Sequence, residues 1–294
     1  MRVDGRDVEI GNPDKELFDG ISKHDLAEHH RDLADVMVPH LRHRPATLRR
    51  FPDGIDGDGF FQKRASDHYP EWIRRVETTI EGGTMTQPVV DDAPTLVYLV
   101  DQGTIEFHVG LAQADRPDHP DRMVFDLDPP DDGDVDDVRR VAREIRDVFA
   151  SIDVDPLLTT TGSSGYHVVV PLDRSAAFDD VRAAARRMAD SVAERLPDIA
   201  TTAQRKDRRE GRVFVDYLRN ARGQTAIAPY SLRALPGAPV ATPIEWDELG
   251  RTDPGSVTFG SLRRRLGQKD DPWADIARRG HALDTIVRRL EGAE

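Results

Sequence analysis

Apolar residues recur at helical spacing between residues 22 and 41, where Leu26, Leu33, Val36, Met37 and Leu41 share one stripe. Ser22 stands where an N-cap belongs. A short helix or helical turn is expected within 69–80, around Trp72. From residue 96 the period shortens. LVYLVD and TIEFHVGL read as two strands of a hairpin joined at Gln102-Gly103. RMVFDLD (122–128) reads as a third strand, stopped by Pro129-Pro130. Val138, Val141, Ile145, Val148 and Phe149 restore the helical period over 134–151. Strands are expected at 156–160 and 166–172, a helix at 178–196, and a second strand pair at 212–218 and 225–231. The tail, 272–291, is expected to be helical. Strands and helices interleave while hairpin signals are frequent, so the expected class is α/β (α+β) with a mixed central sheet. No internal repeat and no long low-complexity linker interrupts the chain. Residues 1–294 are therefore read as one domain, with a smaller, more irregular N-terminal subdomain (1–90) and an α/β core (91–294).

Composition narrows the class. There is no cysteine, which excludes a disulfide scaffold, thiolate metal sites and a cysteine nucleophile. No apolar run approaches the length of a membrane span, and the first residues lack the apolar stretch of a signal peptide, so a cytoplasmic protein with no membrane partner is expected. The formal net charge of −13 argues against a generally adhesive nucleic-acid binder. Its distribution is uneven, with basic clusters at 40–50 and 205–212 set apart from acidic runs such as 131–137. Lysine is confined to positions 15, 23, 63, 206 and 269.

Candidate chemistry then emerges from charges in apolar strands. Asp126 and Asp128 lie two residues apart, so on a strand they project from the same face. Paired carboxylates repel one another and ask for a cation, and hard oxygen donors suit Mg²⁺ or Mn²⁺. Read alone, the pair also fits an exposed strand end capping the next turn. Asp216 interrupts a second apolar run, VFVDYL, and offers a third ligand. Three such carboxylates are what a two-ion phosphoryl-transfer site requires. Thr160-Thr161-Gly162-Ser163-Ser164-Gly165-Tyr166-His167 carries glycines and hydroxyls suited to an anion, or forms an ordinary hairpin turn. Arg233 closes the segment Ala228-Pro-Tyr-Ser-Leu-Arg233.

Together these segments resemble the polymerase domain of the bacterial multifunctional DNA ligase D, within the archaeo-eukaryotic primase superfamily. Asn12-Pro-Asp-Lys15, Arg44-Pro-Ala-Thr, Phe60-Phe61 with Lys63, Glu106-Phe-His108-Val, the DLDP strand, VFVDY and Ile227-Ala-Pro-Tyr-Ser-Leu-Arg233 carry the resemblance over most of the chain. It implies a sheet of primase type and a template-directed DNA/RNA polymerase, a nucleotidyltransferase. Such an enzyme fills gaps or extends ends in double-strand break repair by non-homologous end joining, prefers ribonucleotides and uses two Mn²⁺ or Mg²⁺ ions. By resemblance Asp126, Asp128 and Asp216 are the metal ligands and catalytic residues. His108, Thr161, Ser163, Ser164, His167 and Arg233 line the nucleotide pocket, and Phe60 or Phe61 stacks on a base. Asn12, Lys15 and Lys23 grip a 5′-phosphate at a DNA gap or broken end. The implied partners are DNA, NTP or dNTP, Ku, and an ATP-dependent DNA ligase in trans or as a fused domain, in a nucleoid-associated setting.

The chain departs from the family pattern at several points. Ser164 stands where lysine is usual, Thr161 where serine is usual, and Tyr217-Leu218-Arg219 where Trp-Ser-Gln is usual. The spacing from Lys15 to Lys23 is shorter than usual. Arg219 is expected to replace the missing lysine as a phosphate partner, provided the strand ends or bulges before it. No Lys-x-Asp-Gly ligase motif occurs, so a standalone polymerase or an excised domain is expected. Two other readings stand beside this one: a non-catalytic end-binding partner of a ligase, and a D-x-D phosphatase, which the proline at position 130 disfavours.

Overall fold

A computed structural model of the protein describes residues 1–80 and 82–292. Its chain divides into two compact units, each assembled from separated stretches of sequence. The first holds Met1–Asp115, Thr225–Ala241 and Val257–Asp271; the second holds Arg116–Gln224, Thr242–Ser256 and the residues from Pro272 on. The division does not follow a boundary at residue 90, because the segments just after it pack with the N-terminal helix.

The second unit is built on a mixed, six-stranded sheet, as the interleaved pattern anticipates. Its order is Ala200–Thr201, Val213–Asp216, Arg122–Asp128, Tyr166–Pro171, Leu157–Thr160 and Pro243–Ile244. The first pair is parallel and the others antiparallel. Helices Val135–Ala150 and Phe178–Arg195 pack on one face. Met123, Phe125, Leu127, Val168, Val170, Val213 and Val215 point into that core, so every second residue of each strand is committed to it. Helix Leu283–Glu291 adds Leu283 and Ile286 to the same core.

The first unit carries a four-stranded antiparallel sheet ordered Thr225–Ile227, Thr104–Gly110, Ala46–Arg50 and Phe60–Gln62. Helix Lys23–Leu41 buries Leu26, Leu33, Met37 and Leu41, and Ser22 caps it through a capping box with Asp25.

Four expectations are corrected. The segment LVYLVD is not a strand but part of helix Ala93–Asp101. Asp92 caps it by accepting from the Thr95 N–H, and Pro94 lies in the first turn. It is buried on nearly every side, which erases the amphipathic period and leaves a β-like composition. Within 69–80 the expected helix or helical turn is reduced to a single turn at Glu71-Trp72, and strand Arg75–Ile80 follows, paired with Gly83–Pro88; neither strand shows an apolar alternation. The expected pair of 212–218 and 225–231 does not exist. Val213–Asp216 pairs with Arg122–Asp128, whereas Thr225–Ile227 pairs with Thr104–Gly110 in the other sheet. The tail is helical only from Leu283, after a run of turns with a short 3₁₀ segment at Ile276–Arg278.

Candidate active site

Register assembles the carboxylates in the second unit. Asp126 lies in the central strand directly opposite Asp216 on one neighbour and opposite His167 on the other. Cross-strand partners share a face, so these side chains converge. Asp128 follows on the same face two residues along, and ligand oxygens of Asp126, Asp128 and Asp216 all lie within 4.8 Å of one another. All three sit on the face turned away from the two large helices.

Their electrostatic settings differ. Asp126 is buried; His167 Nε2 lies 3.2 Å from Oδ1, and Arg219 Nε donates to Oδ2 at 3.1 Å. Burial opposes ionisation of Asp126, yet the imidazole and the guanidinium outweigh it and hold its carboxyl at about 2. Asp216 Oδ1 accepts from the Leu218 N–H at 2.7 Å, and Arg219 Nε stands 3.6 Å from Oδ2. Burial raises the Asp216 carboxyl, against the pull of that N–H. At Asp128 the attraction of Arg219 and His167 is outweighed. Burial, with the charges of Asp126 and Asp216, pushes it up to about 6. A mutually repelling cluster of hard oxygen donors fits a divalent cation such as Mg²⁺ or Mn²⁺.

Arg219 reaches this face because the strand ends at Asp216 and turns into the 3₁₀ segment Leu218–Asn220. Buried Asn220 fixes the turn. Its Oδ1 accepts from Val124 N–H at 2.8 Å, and its Nδ2 donates to Val124 O at 2.7 Å and Tyr217 O at 2.9 Å. An amide side chain thus imitates a strand residue beside the central strand. Sequence reading anticipated the strand end but missed Asn220, whose role follows from which strand lies next to it.

The loop before His167 is closed by Thr161. Its hydroxyl donates to Gly165 O at 3.0 Å and accepts from the N–H groups of Ser163 and Gly165, each at 3.3 Å. Thr161 therefore spends its hydroxyl inside the loop, while Ser163 and Ser164 are exposed at its tip. Gly165 is obligatory for a steric reason, because a Cβ there would overlap the Leu127 carbonyl oxygen.

The profile of the LigD primase-polymerase domain matches residues 22–273. The chain belongs to the LigD primase-polymerase domain family. It is 34% identical to the multifunctional non-homologous end joining protein LigD of Pseudomonas aeruginosa, over 97% of this chain and 34% of that protein. It is 32% identical to the LigD of Mycolicibacterium smegmatis, over 92% and 36% respectively. The chain thus spans about a third of the length of these relatives. Among solved structures, the polymerase domain of Mycobacterium tuberculosis ligase D in complex with DNA superposes with a TM-score of 0.87. The identity is 32%, covering 94% of this chain and 99% of that one.

The other expected site residues of this LigD-family chain lie in the first unit. Glu106 is buried, and Arg49 Nη1 donates to its Oε1 at 2.9 Å. Arg233 Nε lies 3.3 Å from the same oxygen, and His108 Nε2 lies 3.0 Å from Oε2. Burial works against the charge on Glu106, but His108, Arg233 and the Ala234 N–H outweigh it and hold its carboxyl at about 2. Phe61 is exposed, edge-on to His108 at 5.6 Å, with the Arg49 guanidinium over its ring at 5.5 Å. Phe60 is also exposed, below Arg50 at 5.4 Å. The paired exposure rules out simple core packing for these phenylalanines. In the sequence Glu106 stands out only within the segment Glu106-Phe-His108-Val. The signal for its role was the one that marked the aspartates, polar residues two apart in an apolar strand.

Backbone bonds bring the proposed 5′-phosphate set together. Lys15 N–H donates to Asn12 O at 3.0 Å, and Lys23 N–H donates to Lys15 O at 2.8 Å. Lys23 opens helix Lys23–Leu41, where the helix dipole favours an anion. Lys15 pairs with Asp53 at 2.8 Å and Lys23 with Asp101 at 3.4 Å. Among the described residues, no helix is long and apolar enough to cross a membrane.

Proposed function

We propose that the protein is a template-directed nucleotidyltransferase that fills gaps or extends DNA ends in non-homologous end joining, incorporating ribonucleotides in preference to deoxyribonucleotides. One observation carries this reading: the register sets Asp216 opposite Asp126, with Asp128 on the same face, inside a family of primase-polymerase domains. Asp126, Asp128 and Asp216 would hold two Mn²⁺ or Mg²⁺ ions. Bound there, the ions lower the pKa of an attacking hydroxyl and stabilise the leaving phosphate.

The remaining roles belong to the chain itself. His167 keeps Asp126 ionised and oriented. In the second unit Ser163 and Ser164 offer donors suited to a phosphate, and in the first Arg233, held in place by Glu106, offers its guanidinium to the same chemistry. His108 shares that carboxylate, and Phe60 or Phe61 presents a flat face to a base. Asn12, Lys15 and Lys23 receive a 5′-phosphate, which exchanges for Asp53 and Asp101 on the lysines. The polymerase would act with Ku and with a ligase, in trans or fused, at broken ends on the nucleoid.

Primer extension with Mn²⁺ on gapped DNA bearing a 5′-phosphate tests the reading. Asp126→Asn, Asp128→Asn and Asp216→Asn should each abolish nucleotide addition with the fold intact, and near-wild-type extension by any one of them overturns the metal assignment. Combined Lys15→Ala and Lys23→Ala should weaken binding to the 5′-phosphorylated gap and leave the unphosphorylated gap unaffected. Equal loss on both would mark a general backbone contact.

A further inference from the structure

Arg219 occupies an unusual place for a phosphate-binding arginine. Its guanidinium pairs with the carboxylates themselves: Nε donates to Asp126 Oδ2 at 3.1 Å and stands 3.6 Å from Asp216 Oδ2. With His167 on Asp126 Oδ1, both oxygens of Asp126 are engaged. The arginine therefore supplies the positive charge that the cluster needs, and it does so from the chain. Asp126 and Asp216, the two carboxylates that Arg219 contacts, are two of the three that would hold a divalent ion, and like charges exclude one another from one buried cluster.

The side chain is free to leave although its backbone is not. The turn is held on one side by the Leu218 N–H on Asp216 and on the other by the Asn220 amide on Val124. Only the long arginine side chain, which is 39% exposed, has to swing.

We propose that Arg219 is an exchangeable counter-ion: it neutralises the carboxylates before the metal arrives, is displaced by the ion, and then binds the phosphates of the incoming nucleotide. The exchange rests on the metal-site reading above. It makes the ion compete with an internal cation when nucleotide is absent, and it couples ion binding to nucleotide binding by linkage. A fork of N–H donors serves carboxylate and phosphate equally well, which a glutamine at this position does not.

Two affinities separate the possibilities: Mn²⁺ binding without nucleotide, followed by electron paramagnetic resonance of the free ion, and binding of a non-hydrolysable nucleoside triphosphate at saturating Mn²⁺. Exchange predicts opposite signs for Arg219→Gln. Mn²⁺ should bind about tenfold more tightly, because a charge-assisted hydrogen bond no longer has to be broken, while the nucleotide should bind several-fold more weakly. Arg219→Lys, which keeps the charge and loses the fork, should fall between wild type and Arg219→Gln on both measurements. An Arg219→Gln protein in which both affinities fall would make Arg219 a support for the site and overturn the exchange. Unchanged affinities would overturn it as well. If folded wild type and variants alike take up no Mn²⁺, the metal site itself is overturned.

Discussion

At the scale of the residue, charge decides the behaviour of the second unit. Asp128 is the carboxylate of the cluster that burial and its neighbours push up to about 6, from an ordinary value near 3.8. A carboxyl raised in the folded state binds a proton more tightly there than in the unfolded chain. It therefore supports the fold below about pH 4 and loses that contribution as pH rises through 6. Without metal, the wild type should lose up to about 2 kcal/mol from this group between pH 4 and 7. Asp128→Asn should flatten that slope and raise the ion-free melting temperature at pH 7. Thermal melts in chelator across this range are the check, and a slope equal to that of the wild type would remove the like-charge account of the cluster.

At the scale of the element, the central strand Arg122–Asp128 serves as both core and site, and its neighbours must approach it closely. Gly165 does so at the Leu127 carbonyl, between the two aspartates. Gly165→Ala should cost about 1–3 kcal/mol, the usual range for an overpacked site, because the obstacle is backbone and cannot rotate away. It should also impair nucleotide addition by tilting strand Tyr166–Pro171, and with it His167, against Asp126. Denaturant unfolding and primer extension would report both effects; unchanged stability would show that the strands part without cost. The same tightness explains why LVYLVD has the look of a strand. Helix Ala93–Asp101 is enclosed, so its composition resembles a strand, and only Asp92 and Pro94 reveal a helix start.

At the scale of the whole molecule, the two units should answer acid in opposite directions. Helix Lys23–Leu41 buries His29 and His30 in the first unit. His29 stacks on Phe259 at 4.4 Å, and burial, with the charges of His30 and Arg263, lowers it to about 3. Burial lowers His30 to about 4. A histidine lowered in the fold contributes stability that is present above pH 6.5 and lost as pH falls toward its folded value. Each should cost up to about 1.4 kcal/mol per pH unit across that window. Acidification from pH 7 to 4 thus relieves the ion-free carboxylates of the second unit while it destabilises the first. Hydrogen exchange resolved by segment should show helix Lys23–Leu41 losing protection first. His29→Phe should delay that loss, and equal acid sensitivity in the variant would remove the histidine explanation.

The chain by itself determined where charge interrupts apolar strands, and those interruptions mark the site. Asp126, Asp128, Asp216, Glu106 and His108 all stand in runs that otherwise belong to a core. Alternation settled which side of each strand they occupy, because period two is local geometry. Helix Lys23–Leu41, with its Ser22 cap, was legible for the same reason, since cap and stripe lie within one stretch of sequence. Pairing was not local. That Val213–Asp216 joins Arg122–Asp128 while Thr225–Ile227, nine residues on, joins Thr104–Gly110 depends on long-range register that hydrophobicity does not encode. Tertiary structure alone set Asp126 between Asp216 and His167, clamped Asn220 to Val124, and turned Arg219, expected as a phosphate partner, onto the carboxylates. An arginine pairs with the nearest buried negative charge, and which charge is nearest is fixed only when separate stretches of chain have met.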